Sequence, residues 1–335
     1  MLYSDRMSTP GSSADTARVA VIVNPTKVDM EALRAAVAEA EAEAGWAPSL
    51  WLETSVDDPG QGRAREATAA RVTAVLTAGG DGTVRAVAEG MLDSGIPIVL
   101  IPSGTGNLLA RNLNLPIGRL ADAVSTAVTG VDHAIDIGIA EITRADGARE
   151  THAFVVMVGI GLDARMIAAT NAELKKRVGW LAYVEATARI VRDVDAVRVR
   201  YTLDGSAERA TTVHTLLIGN CGTLPGGVLL LPEAQIDDGL LDVVAMRPRN
   251  LWGWMRVGYA VAWENGVLQR TKIGRRIMAA DKSVRALRYF QGRRMTLALE
   301  RPEEFEIDGE SMGQVTAIAA RVAPAALVVR VPQVP

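Results

Sequence analysis

At 335 residues the chain is long for a single core, so two domains are expected. Its 49% apolar and 22% charged residues, with a net charge of −3, describe a soluble globular protein and exclude a globally basic nucleic-acid binder, so no nucleic-acid partner is expected. The single cysteine, Cys221, excludes an intrachain disulfide and a cysteine-rich zinc site, and His133, His152 and His214 show no metal-ligand spacing.

Residues 1–17 are polar and rich in small side chains, lack the apolar core of a signal peptide, and read as a disordered lead-in. Nothing later reaches the ~18 uninterrupted apolar residues of a membrane span, so a cytoplasmic protein is expected, one that meets a membrane only at its surface. A β-branched run over 18–23 reads as a buried strand that stops at Asn24-Pro25. Residues 30–44 carry apolar side chains at helical spacing, and Gly45 closes that helix. A second strand is expected over 48–53, a helix over 62–70, a third strand over 72–78, a helix over 83–92 and a fourth strand over 96–101. Alternating strand and helix predict a parallel sheet covered on both faces, hence an N-terminal α/β domain over 18–135.

Beyond residue 136 the rhythm changes. Segments 153–158, 197–203, 213–219, 240–246, 295–300, 315–322 and 327–331 read as strands of a mainly antiparallel, β-rich second domain over 136–335. Helices over 172–192 and 250–268 interrupt them, and the functional cleft is expected between the two halves.

Two glycine-rich turns carry the strongest chemical signal. Gly79-Gly80-Asp81-Gly82-Thr83 follows the third strand and Ser103-Gly104-Thr105-Gly106-Asn107 follows the fourth, each leading into a helical pattern. Strand, glycine turn and helix start together aim backbone N–H groups at one point, the arrangement that holds phosphate. Asp81 reads either as a helix cap or as a carboxylate that handles a cation or a proton beside bound phosphate. Asn24 and Lys27, after the first strand, lie on the same sheet edge, where ligands of open α/β sheets gather. Neither turn matches a Walker or dinucleotide fingerprint.

In the second half, Asp237, Asp238 and Asp242 cluster around Gly239, either as a plain Asp-Gly turn or as a turn presenting Asp238 and nearby carbonyls to a hard cation. Asp308 and Glu310 stand two apart, so in extended backbone they would point the same way and suit general-base or metal work. Nine basic residues lie between Arg270 and Arg294 against Asp281 alone, next to Trp252, Trp254 and Trp263. That combination fits either an anionic membrane surface or a solvated basic face beside a packed helix.

These residues together resemble the diacylglycerol kinase catalytic-domain family of bacterial lipid kinases, relatives of sphingosine kinases and more distantly of NAD kinases. The resemblance rests on Val23-Asn24-Pro25, the two glycine turns, Asp136-Ile137-Gly138, Gly159-Ile-Gly161-Leu-Asp163, the Asp237-Asp238-Gly239 turn and Asp308-Gly309-Glu310. It implies an α/β fold in which an N-terminal three-layer domain with a parallel sheet stands beside a C-terminal β-rich, sandwich-like domain. It further implies ATP and Mg²⁺ as cofactors and a lipid, diacylglycerol first, as phosphoryl acceptor at the membrane surface. By position, Asn24, Lys27, Thr54, Gly79, Gly80, Asp81, Gly82, Thr83, Gly104, Thr105, Gly106 and Asn107 look like the nucleotide set, within which the stretch from Asn24 runs to Val28 and that from Gly79 runs to Arg85. Asp238, with the carbonyls of Gln235 and Leu240, looks like a structural Mg²⁺ site, and Asp136 and Asp81 look like an acidic network joining metal to active site. Glu310 looks like the base for the lipid hydroxyl, with Asp308 beside it. Where relatives continue Asn-Pro with Ser-Gly-Lys, this chain has Thr26-Lys27-Val28-Asp29. A kinase of soluble substrates such as an NAD kinase, and a regulator without catalysis, are the alternatives; oligomeric state stays open, a homodimer included.

Overall fold

The computed structural model describes residues 17–161, 196–224, 228–247 and 287–333. The expected helices over 172–192 and 250–268, Asp163, residues 1–16 of the expected lead-in, the tryptophan cluster and the basic run as far as residue 286 lie outside them.

In the N-terminal half, β1 (Val19–Val23), β2 (Leu50–Glu53), β3 (Ala74–Gly79) and β4 (Ile98–Pro102) form a parallel sheet in the order β2-β1-β3-β4. Alternation along each strand divides two cores. Val19, Val21, Val23, Leu76, Ala78, Val99 and Ile101 face α1 (Met30–Ala44) and α5 (Leu120–Thr129). Ala20, Ile22, Val75, Ile98 and Leu100 face α2 (Gln61–Ala69), α3 (Asp81–Gly90) and α4 (Leu108–Asn112). A sheet buried on both faces explains why its strands read as unbroken apolar runs. Helix α1 has the bounds expected: Asp29 caps it by accepting from Glu31 N and Ala32 N, both at 3.1 Å, and Gly45 closes it at φ +64°.

The C-terminal half is β-rich, built from β5 (Val131–Thr143), β6 (Arg149–Phe154), β7 (Met157–Gly161), β8 (Val197–Leu203), β9 (Arg209–Val213), β10 (Thr215–Gly219), β11 (Thr223–Leu224), β12 (Val228–Leu229), β13 (Leu241–Met246), β14 (Leu287–Gly292), β15 (Arg294–Ile307) and β16 (Glu310–Val331). Its pairings are antiparallel, and its core gathers Phe154, Ile160, Val199, Leu216, Val243, Leu297, Phe305 and Ile318. Phe154 lies across Gly138, where a β-carbon would strike its ring. Truncating so buried a phenylalanine to alanine costs about 3–5 kcal/mol.

The halves are continuous. β16 is one 22-residue strand that pairs β15 and β5 and, at Val329, joins β4 in parallel, so the end of the chain completes the N-terminal sheet. The expected division at residue 135 falls inside β5. The gap expected in β16 between residues 322 and 327 is a register shift between Ala323 and Leu327, where Ala325 takes φ +50°. Among the described residues, no helix is long and apolar enough to cross a membrane.

Candidate active site

The carboxyl ends of the four parallel strands share one edge, since Val23 pairs with Glu53 and Ala78, and Gly79 with Pro102. Asn24, Thr54, Gly79 and Ser103 therefore stand side by side. Asn24 N donates to Ala78 O at 2.9 Å and Thr54 N to Val23 O at 2.9 Å. The Asn24 carboxamide oxygen is used within its own loop, accepting from Thr26 N at 3.1 Å and Thr26 Oγ1 at 2.8 Å. Lys27 is exposed on that loop.

The two glycine turns pack on each other. A β-carbon on Gly104 would lie 2.7 Å from Gly80 Cα, and one on Gly106 would lie 2.5 Å from Asp81 Oδ2, so Gly104 permits backbone contact between the turns and Gly106 leaves room for the Asp81 carboxylate. Gly79 is needed for a similar reason: buried Thr83 fills the space above it. Asp81 joins the turns by accepting from Asn107 N at 3.0 Å and Leu108 N at 2.6 Å. It thus opens α3 while capping α4, not its own helix. Burial pushes the Asp81 carboxyl above its ordinary range, partly offset by those two bonds. Asn107, buried at φ +49°, locks the second turn by accepting from Gly104 N at 2.9 Å and donating to Gly104 O at 2.8 Å. Thr105 is exposed at its tip.

The C-terminal half delivers Glu310 to this place. β15 and β16 meet in a two-residue Asp308-Gly309 turn, φ +48° and +84°, with Ile307 paired to Glu310. Both central residues at positive φ make it a type I′ hairpin, the Asp-Gly preference. This turn corrects the expectation that Asp308 and Glu310 point the same way. Asp308 is buried and accepts from Val155 N at 2.9 Å, Val156 N at 2.8 Å and Met157 N at 2.9 Å, pinning the break between β6 and β7. Burial raises its pKa to about 6 against those bonds and the nearby Arg85 charge. With its oxygens so engaged, Asp308 holds the frame, and no proton-transfer step is routed through it.

Glu310 instead is half-exposed and pairs with Arg85 Nη2 at 2.7 Å. A β-carbon on Gly82 would collide with its Oε1, so the carboxylate rests directly on the first glycine turn. Arg85 is 7% exposed and its Nε has no partner among the described residues. The resemblance placed Arg85 at the end of the nucleotide-contacting stretch from Gly79, and its pairing with Glu310 was not foreseen. Its signal was a cation among Val84, Ala86, Val87 and Ala88 on the buried side of α3.

The acidic turn lies between β12 and β13. Asp136, 2% exposed, accepts from Gly239 N at 2.6 Å and Ala325 N at 2.8 Å, so it stitches the turn to the irregularity of β16. Its backbone N donates to Ile236 O at 2.8 Å, and its carbonyl accepts from Asn220 Nδ2 at 2.7 Å, a buried partner that sequence reasoning missed. Asp238 accepts from Leu240 N at 2.9 Å. Burial, then the charges of Asp136 and Asp237, raise its pKa; burial above all takes Asp242 to about 6. Among the described residues no three acidic or histidine side chains converge as a metal cluster. The donor chemistry still fits Mg²⁺: one carboxylate and the backbone oxygens of Gln235 and Leu240 are hard ligands, and a cation would relieve the crowding of acids.

Residues 18–140 match the model of the diacylglycerol kinase catalytic domain, and residues 156–331 that of the YegS C-terminal NAD kinase beta sandwich-like domain. A Pseudomonas aeruginosa protein named "Probable lipid kinase YegS-like" is 30% identical over 76% of this chain and 80% of its own. The diacylglycerol kinase of Bacillus subtilis is 27% identical over 72% of this chain and 77% of its own. The crystal structure of a Bacillus anthracis diacylglycerol kinase superposes with a TM-score of 0.65 at 18% identity, covering 95% of this chain and 98% of that one, a likeness of fold.

Proposed function

The chain belongs to the family of diacylglycerol kinases and YegS-like lipid kinases, and from that premise we propose that it transfers the γ-phosphoryl group of ATP to a neutral-lipid hydroxyl, diacylglycerol first, at a membrane surface. The kinase assignment follows from the family. The observation that carries the finer reading is Glu310 resting on Gly82, which brings a carboxylate from one half onto the glycine turn of the other.

In this reading the stacked turns and the start of α3 receive the triphosphate through backbone N–H groups, with Asn24, Lys27, Thr54 and Thr105 along the same edge. Arg85 holds Glu310 in place. The Glu310 carboxylate takes the acceptor hydroxyl's proton as the lipid oxygen bonds to the γ-phosphorus and the bond to the bridging oxygen breaks, releasing ADP. Asp81 fixes the turns relative to each other, so that catalysis comes mainly from positioning and charge. Mg²⁺, held by Asp238 with the carbonyls of Gln235 and Leu240, would supply a fixed positive charge near Asp136.

Incubating the protein with γ-labelled ATP, vesicles of total lipid extract and, separately, NAD tests the proposal. A labelled lipid chromatographing with phosphatidic acid supports it; label in NAD alone, or in no acceptor, overturns it.

A further inference from the structure

We propose that an arginine-lined groove at the far end of the C-terminal half binds the phosphate of an anionic phospholipid headgroup, separately from the site of phosphoryl transfer. The groove, about 390 Å³ and open to solvent, is lined by Arg198, Ala210, Thr211, Thr212, Arg247 and Arg288. It is assembled by topology. Along β8, Val197 and Val199 enter the core and turn Arg198 outward, opposite Thr212 of β9. Arg247 follows the last residue of β13, and Arg288 of β14 pairs with Ala245 of β13. The acidic turn precedes the first residue of β13, so the groove sits about 20 Å along that strand from it.

All three arginines are exposed, and among the described residues none of them forms an ion pair, whereas neighbouring Arg200 is paired with Glu208 at 3.6 Å. Among the described residues no acid lines the groove. Three arginines border the opening with Thr212, the cross-strand neighbour of Arg198, and arginine takes the oxygens of a phosphate group bidentately. An open, solvent-facing groove suits a headgroup presented by a surface. Arg247 and Arg288 also bracket in sequence the stretch 248–286, which carries Trp252, Trp254 and Trp263 among basic residues, the composition of a membrane interface. That stretch lies outside the described residues.

Binding is read without turnover, so this inference stands or falls apart from the catalytic reading. The full chain is sedimented with vesicles of phosphatidylcholine containing phosphatidylglycerol, at low and physiological salt. Each of Arg198→Gln, Arg247→Gln and Arg288→Gln is expected to weaken binding roughly fivefold, and the triple variant roughly 100-fold. A charge-matched control, Arg65→Gln with Arg71→Gln and Arg321→Gln, should lose less than about threefold. Because the three arginines are exposed, circular dichroism of the variants should overlay that of the parent. Equal losses in the two triple variants, or absence of vesicle binding by the parent, overturns the proposal. Release from vesicles by glycerol 3-phosphate at matched phosphate concentration overturns it too, by assigning the groove to a soluble phosphate.

Discussion

Arg85 and Glu310 are 225 residues apart in sequence and 2.7 Å apart in space, and their pair joins the first glycine turn's helix to the C-terminal hairpin. The arginine is buried and the glutamate half-exposed, so the anchored partner is the cation and the movable one the carboxylate.

Arg85 is therefore expected to act as a positioning residue. Arg85→Met should lower kcat about 10–100-fold while leaving the KM for ATP within about threefold, since a misplaced base costs turnover more than nucleotide binding. Arg85→Lys should recover much of the loss. Steady-state kinetics distinguishes this from a structural role, which would move both parameters without rescue.

Two glycines of the site should separate function from stability. In Gly82→Ala the new methyl displaces only the end of Glu310, so activity falls while the unfolding free energy from urea titration changes by less than about 0.5 kcal/mol. In Gly104→Ala the methyl meets the Gly80 backbone, and about 1–3 kcal/mol of stability should go with it. Equal behaviour of the two variants would contradict the packing described for the turns.

Acid should stabilise the region around Asp242. Its folded-state pKa of about 6 lies above the ordinary aspartate value of 3.8, chiefly through burial. The folded state therefore binds the proton more tightly, and this contribution is complete below about pH 4 and lost as the pH rises through about 6. Urea midpoints measured across that window should fall with rising pH, and Asp242→Asn should lessen the slope, leaving the share of Asp308, whose pKa burial also raises to about 6.

Magnesium should bind without nucleotide. Raising Mg²⁺ to ten times its dissociation constant stabilises the fold by about 1.4 kcal/mol, visible as a rise in Tm, and Asp238→Ala should abolish the rise. A rise that survives the substitution would place the cation elsewhere.

Much of the frame was legible because it is local. The buried parallel strands announce themselves as apolar runs, and α1 as a capped, periodic segment between Asp29 and Gly45. What stayed hidden is non-local. The strand expected over 153–158 is broken at Val155 and Val156 because Asp308, far along the chain, takes their N–H groups. The two strands expected over 315–331 are one, bent where Asp136 takes Ala325 N. Helix α5 lacks a side-chain cap, and its start gave no signal. The glycine turns stood out as a phosphate motif, yet Gly104 and Gly106 are required by Gly80 and Asp81, a contact no spacing reveals. Asp308 and Glu310, adjacent in the motif, part company because their turn is left-handed.

Phosphoryl transfer to diacylglycerol by the parent protein and by Glu310→Gln tests the central claim most directly. With γ-labelled ATP and mixed vesicles, the substitution should cost about 10²–10⁴-fold in kcat with ATP binding unchanged, the range for loss of a general base. Transfer by Glu310→Gln within threefold of the parent would show that Glu310 does not take the hydroxyl proton, and would contradict the mechanism.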